Sequence, residues 1–304
     1  MVEEKICQLY PGQQMRCPVH ICIGQEAIAA GVCVNLKKDD YVISNHRSHG
    51  HFLAKGGSLR ALMAELYGKS TGCSGGKGGS MHLIDLKVNF LGSTPIVAGV
   101  IPIAVGVAFG TALQKERKVT VVFFGDAATE EGVFSESLNF AALKKLPIVF
   151  VCENNLYSVY SPLSVRQPKN RDNLKIANGY GIRAESCDGN DVISVYRKAA
   201  KAIKLAREGR GPAYLEFATY RYREHCGHNF DNNLGYRSEK EFRHWYKKCP
   251  LDNFQRKLLR EGVLDRGQAN RIKIKIEDEI NQAVDFAKKS PFPAKKEVFS
   301  DVYA

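Results

Sequence analysis

Two kinds of hydrophobic spacing alternate along the chain. Val119 to Phe124 (VTVVFF) is apolar at nearly every position, as expected of a strand covered on both faces. Ile148 to Cys152 is a second such run. The stretch between them, Thr129 to Lys145, reads as a helix, with Thr129 placed to cap it and Glu130 and Glu131 favourable at its positive end. Strand, helix and strand over this span predict a βαβ unit with parallel strands. A further pair follows, Val192 to Glu208 as helix and Ala213 to Thr219 as strand. Upstream, Gln25 to Val34 reads as a buried helix and Tyr41 to Ile43 as a short strand. Leu59 to Tyr67 is a helix with apolar residues at 59, 62, 63 and 66. From Ser238 to about residue 289 the spacing is helical, with a turn at 262–265. The pattern predicts an α/β fold with a central, mostly parallel sheet and helices on both faces over residues 1–237. A helical C-terminal extension, 238–304, is expected to pack on the same domain.

Phe90 to Leu113 carries no charge and is long enough to cross a membrane. Its prolines at 95 and 102 and glycines at 92, 99, 106 and 110 favour instead a buried, small-residue helix. The N-terminus lacks the apolar core of a signal peptide. Nine cysteines, none in a CxxC pair, suit reduced thiols in a cytoplasmic protein better than a disulfide framework or a zinc ribbon. Lys and Arg number 44 against 32 Asp and Glu, a net charge of +12. The excess lies on helices where acidic and apolar residues interleave, and no nucleic-acid-binding signature accompanies it. A solvated basic face accounts for it, so neither nucleic acid nor membrane is an expected partner.

Chemistry enters at the strand ends. Parallel strands of a βαβ unit finish at the same sheet edge, where open α/β sheets bind ligands. Asp126 and Asn155 each follow a strand end, bringing a carboxylate and an amide oxygen together. Singly, Asp126 would read as a helix cap and Asn155 as the start of a turn. Together they suit Mg²⁺, which keeps part of its coordination for phosphate oxygens. Gly125 allows close backbone approach, and the helix N-terminus beyond it offers amide donors to an anion. The glycine-dense loop Gly72 to Ser80 is no Walker A sequence, because Gly78 follows Lys77 where a hydroxyl is needed.

Gly125-Asp126-Ala127-Ala128-Thr129-Glu130-Glu131-Gly132, with Glu153-Asn154-Asn155 and Leu156-Tyr157, resembles the thiamine-diphosphate motif, which usually begins Gly-Asp-Gly and ends Asn-Asn. More narrowly, the chain resembles the alpha subunit of 2-oxo acid dehydrogenases of the pyruvate and acetoin type. The segments that carry this are Ile23-Gly24-Gln25-Glu26-Ala27, Asn45-His46-Arg47-Ser48-His49-Gly50, Gly76 to His82 and Thr219-Tyr220-Arg221-Tyr222. The likeness runs from about residue 15 to the C-terminus, and the chain starts late against a family that usually has a longer N-terminal helix. It implies the thiamine-diphosphate-binding fold, thiamine diphosphate and Mg²⁺ as cofactors, and decarboxylation of a 2-oxo acid such as pyruvate. The acyl unit would pass to an acceptor, in the family a lipoyl group on an acyltransferase.

The resemblance assigns roles residue by residue. Asp126, Asn155 and the Tyr157 carbonyl would hold Mg²⁺, with Gly125, Ala127 and Ala128 around the diphosphate and Arg47 and Arg221 paired with it. Pro95 to Val97 would meet the aminopyrimidine, with Val97 as the wedge that bends the cofactor. His46 stands where many relatives have Tyr and would contact the cofactor. His20 would face the 2-oxo acid, and His49 would line the same cavity. His82, ending the glycine loop, reads equally as structural. Gly106 to Gly110 matches an assembly helix, or else an ordinary buried one.

The loop Arg223 to Asn229 departs from the usual Tyr-His-Gly-His-Ser. Counting back from Tyr236-Arg237 favours His228 as the active-site histidine, with His225 close behind. Asn229 replaces the serine that kinases modify in relatives. No second α/β module supplies the glutamate that activates the aminopyrimidine, which implies a separate beta subunit in an assembly of two alpha and two beta chains. Two rival readings share the anchor residues: the N-terminal subunit of a split transketolase, and a non-catalytic scaffold homologue, for which Ala127 and the altered loop speak.

Overall fold

The computed structural model describes residues 1–15 and 17–300. Six parallel strands form one sheet in the order β2-β1-β3-β4-β8-β7. They are β1 (Tyr41–Asn45), β2 (Phe90–Thr94), β3 (Thr120–Gly125), β4 (Ile148–Asn154), β7 (Arg183–Asp188) and β8 (Ala213–Ala218). Two-residue strands β5 (Tyr157–Ser158) and β6 (Ser161–Pro162) make a small hairpin beyond β4.

Alternation along the central strands divides the core. Val121, Phe123, Val149 and Val151 face a layer built from the helices Val2–Leu9, Glu26–Cys33, Leu59–Leu66, Val192–Arg207 and Arg266–Lys289. Val122, Phe124, Ile148 and Phe150 face the opposite layer, with the helices Val100–Leu113, Gly132–Leu143 and Asn173–Gly179. Burial on both sides is why β3 and β4 read as continuous apolar runs. The helix Val192–Arg207 begins where the Asp191 carboxylate accepts the Ile193 and Ser194 amides, and it turns Val195, Ala199, Ala202 and Ile203 inward. In the C-terminal stretch, a capping box of Asp265 and Gln268 starts the helix Arg266–Lys289. Its Ile280, Ala283, Val284 and Ala287 join the first core layer.

Three sequence expectations change. The uncharged stretch is not one helix from Phe90: Phe90–Thr94 is strand β2, and Gly99 precedes the helix Val100–Leu113, which leaves Ile103 and Leu113 exposed. Edge strand β7 (RAESCD) was not foreseen, because its polar, half-exposed pattern carries no apolar run. After β3 the chain first makes a 3₁₀ turn, Asp126–Glu130, and the helix begins only at Gly132. Thr129 caps nothing; its hydroxyl donates to the Asp126 carbonyl. Among the described residues no helix is long and apolar enough to cross a membrane.

Candidate active site at the carboxyl edge of the sheet

All six sheet strands end at one edge, and the segments leaving β1, β3, β4 and β8 surround a cavity of about 250 Å³ there. Asp126 and Asn155 both line it. The carboxylate of Asp126 is 1 % exposed, and burial raises its pKa against the opposing pull of Arg166, which donates to it. Arg166 also donates to Glu130, so one guanidinium is shared by two carboxylates. Asn155 Oδ1 accepts the Tyr157 amide at 3.3 Å, while the Tyr157 hydroxyl donates to Glu241 at 2.7 Å. Gly125, Ala127, Ala128, Pro95 and Val97 line the same space. A Cβ at Gly125 would meet nothing within 4 Å, so packing does not demand glycine there.

The opposite wall is basic and aromatic. His46 and Arg47 follow the end of β1. Buried Arg47 donates to the carbonyls of Ile21 at 2.6 Å and His225 at 3.1 Å, tying three distant segments together. Burial and nearby Arg221 lower its pKa to about 10. Gly24 lets the segment from His20 pass over the extension of β8: its φ is +99°, and a Cβ there would fall 2.5 Å from the Tyr220 carbonyl. Burial, with the charge of Arg47 added, holds the imidazoles down, His20 to about 2 and His46 and His225 to about 3. All three are therefore neutral near pH 7. They can donate or accept a proton-bearing bond without bringing charge.

Three sequence expectations move. His225 lines the cavity, whereas His228 packs against Tyr10, ring centroids 5.3 Å apart, on the far side of the loop. His49 does not reach the cavity: it is fully buried, with Nδ1 on Glu3 and Nε2 on the Ser80 hydroxyl, both at 2.8 Å. Arg221 is buried behind the lining, donating to the Val159 carbonyl, Tyr236 and Asp231. The glycine loop is closed around Glu65, whose carboxylate accepts the amides of Ser74, Gly76, Gly78 and Gly79 at 2.7–3.1 Å.

Residues without an assigned role also belong here. Gln25 lines the cavity at 2 % exposure, and neither its Oε1 nor its Nε2 has a hydrogen-bond partner; His20 Nδ1 is likewise unpartnered. Buried polar atoms of this kind are costly unless something bonds them. Glu153 lines the cavity and is backed by His51, which bonds it at 3.1 Å and Ser44 at 2.8 Å while stacking on Phe123. Nothing in the spacing pointed to Arg166. Gln25 stood within a motif segment, but only burial reveals its unmet bonds.

A parallel α/β sheet with acidic, amide and imidazole groups converging on one cavity at its carboxyl edge defines an enzyme-type ligand site. The sequence pattern of the family described as "Dehydrogenase E1 component" matches residues 1–296. The alpha subunit of acetoin:2,6-dichlorophenolindophenol oxidoreductase from Bacillus subtilis is 38 % identical over 302 residues, covering 99 % of this chain and 89 % of its own. Pyruvate dehydrogenase E1 component alpha subunits from Porphyra purpurea and Rickettsia felis are 37 % and 35 % identical, over 98 % and 99 % of this chain and 89 % and 91 % of theirs. The chain belongs to the dehydrogenase E1 component family.

Proposed function

We propose that this chain is the alpha subunit of a thiamine-diphosphate- and Mg²⁺-dependent 2-oxo acid dehydrogenase. It decarboxylates a 2-oxo acid such as pyruvate and passes the acyl unit to an acceptor, a lipoyl group carried by an acyltransferase partner. The observation that carries this is the meeting of Asp126 and Asn155, from adjacent parallel strands, in one cavity that also holds the unmet polar atoms of Gln25 and His20. Family membership and the relatives' names support it.

When bound, thiamine diphosphate supplies the carbon nucleophile and electron sink for decarboxylation. The chain's own share is holding, screening and proton handling. Asp126, Asn155 and the Tyr157 carbonyl would hold Mg²⁺, in place of the Arg166 guanidinium that now bonds Asp126. Gly125, Ala127 and Ala128 border the diphosphate, with Arg47 and, from behind, Arg221 supplying positive potential. Pro95, Val97 and His46, which line the same cavity, would border the aminopyrimidine. His20 and His225, neutral and directed to the cavity, hold or release a proton at the substrate. A separate beta subunit completes the site in an assembly of two alpha and two beta chains. The enzyme works in the cytoplasm, where its nine free cysteines stay reduced.

Titration calorimetry of the assembly with thiamine diphosphate tests the proposal. Binding should require Mg²⁺, and Asp126→Asn should weaken it ~10–100-fold or more. Mg²⁺-independent binding, or none to the native assembly, overturns it.

A further inference from the structure

Ahead of the helix Glu26–Cys33, the segment from Val19 to Cys22 is buried yet belongs to neither helix nor strand. Buried backbone groups outside regular structure need partners from elsewhere. Here four of them are held from four distant places. The Val19 carbonyl accepts the Gly227 amide at 2.8 Å, and the Ile21 carbonyl accepts Arg47 at 2.6 Å. The His20 amide donates to the Ser80 hydroxyl oxygen at 3.3 Å, and the Cys22 amide donates to the Glu3 carboxylate at 2.8 Å. The His20 ring does little to place itself. Its Nδ1 has no partner among the described residues, and it meets the rings of His46 and His225 edge-on, with centroids 4.6 and 5.1 Å away. The backbone therefore sets where the ring points.

Ser80 and Glu3 are joined through His49. Glu3 Oε1 accepts from His49 Nδ1, and His49 Nε2 bonds the Ser80 hydroxyl, both at 2.8 Å. With the proton on Nδ1, Nε2 of a neutral ring accepts the hydroxyl proton, and the Ser80 oxygen is left to receive the His20 amide. One carboxylate thus grips Cys22 directly and His20 through two side chains. Ser80 and His49 are fully buried, Glu3 is 7 % exposed, and none of the three lines the cavity. A connected set of bonds in such a dry interior stiffens what it holds. The glycine loop supplies the fixed end: Glu65 accepts the Gly78 and Gly79 amides at 2.7 and 3.1 Å, which places the next residue, Ser80.

We propose that Glu3, His49 and Ser80 are positioning residues for His20, holding from outside the cavity the backbone that aims its imidazole inward. The proposal rests on the reading of His20 as a group that holds or releases a proton at the substrate, and its test separates the two.

The assembly with the beta subunit is assayed for release of carbon dioxide from pyruvate at saturating thiamine diphosphate and Mg²⁺. Ser80→Ala should lower kcat ~10–100-fold, the scale of a slightly misplaced reacting group, and leave KM within about 3-fold, because the loss falls on the transition state. Glu3→Gln, which keeps the side-chain shape, should do the same to a smaller extent. In a His20→Ala background, Ser80→Ala should cost less than about 2-fold more, since residues acting as one unit are not additive. A full further loss in that background, or native kcat in both Ser80→Ala and Glu3→Gln, overturns the proposal. A second measurement needs no turnover. In the full-length chain with isotope-labelled histidine, the NMR signal of the His20 ring, assigned by its loss in His20→Ala, should shift in Ser80→Ala and Glu3→Gln, while that of His244, on the helix Glu239–Tyr246, stays in place. Movement of both signals, or of neither, overturns the proposal. An inactive native assembly with the His20 signal moving as expected counts against the functional reading alone.

Discussion

His20, His46 and His225 are neutral in the folded chain because burial and Arg47 disfavour their protonated forms. An unfolded chain takes up those protons below about pH 6.5. Folded values lie below unfolded ones, so this stability is present above pH 6.5 and is lost as pH falls towards about 3. Each imidazole adds at most about 1.4 kcal/mol per pH unit, roughly 4 kcal/mol per unit for the three. Buried Glu26, whose carboxyl is raised to about 7, opposes this loss over the same range; urea unfolding from pH 7 to 5 should therefore lose less stability in His46→Phe than in the native chain, and an equal loss contradicts the neutral cluster. At this scale the sequence was legible where a residue follows an apolar run. Asp126 and Asn155 were found because β3 and β4 announce their own ends. The choice between His225 and His228 was not, because counting residues cannot see the Gly227 amide donating to the Val19 carbonyl or Arg47 holding the His225 carbonyl. His49 misled for a related reason: it opens the helix His49–Ala54 and points to Glu3 and Ser80.

Between single residues and the whole chain, the glycine-dense loop shows what local composition can and cannot say. Its density of glycine is real physical information, since the backbone must crowd around a side chain; a Cβ at Gly72 would lie 2.2 Å from Glu65 Oε2. What it crowds around is Glu65, an internal carboxylate at 1 % exposure, and no sequence spacing identified that partner. Glu65→Gln would turn an amide group towards two backbone N–H donors and leave them unsatisfied. A loss of about 3 kcal/mol in folding stability is expected, together with proteolytic cutting within 72–80. A variant as stable and as resistant as the native chain would show that the carboxylate does not organise the loop. The same limit explains β2 and β7. The central strands declare themselves through burial on both faces, whereas the edge strands, polar on one side, look like loops or helix.

For the molecule as a whole, the outer surface of the helix Val100–Leu113 stands out. Ile103 and Leu113 are 56 % and 67 % exposed, and Cβ atoms at Gly106 and Gly110, on the same side, would meet nothing within 4 Å. A smooth apolar strip of this kind allows another backbone to approach closely. Gly110→Arg should leave the fold of the single chain intact, because no neighbour is displaced, yet shift the assembly to smaller species on gel filtration. An unchanged elution volume would mean that the strip is not where subunits meet.

The order of the sheet carries a consequence for biosynthesis. Tyr41 must wait for Thr120, and Val149 for Ala213, before either ladder can zip. Such distant pairings form slowly, since long loops close before any ladder rewards them. About half of the polypeptide is made before β3 and β4 can pair, and more than two-thirds before β8 can cover the free side of β4, so that greasy pair needs shelter during translation.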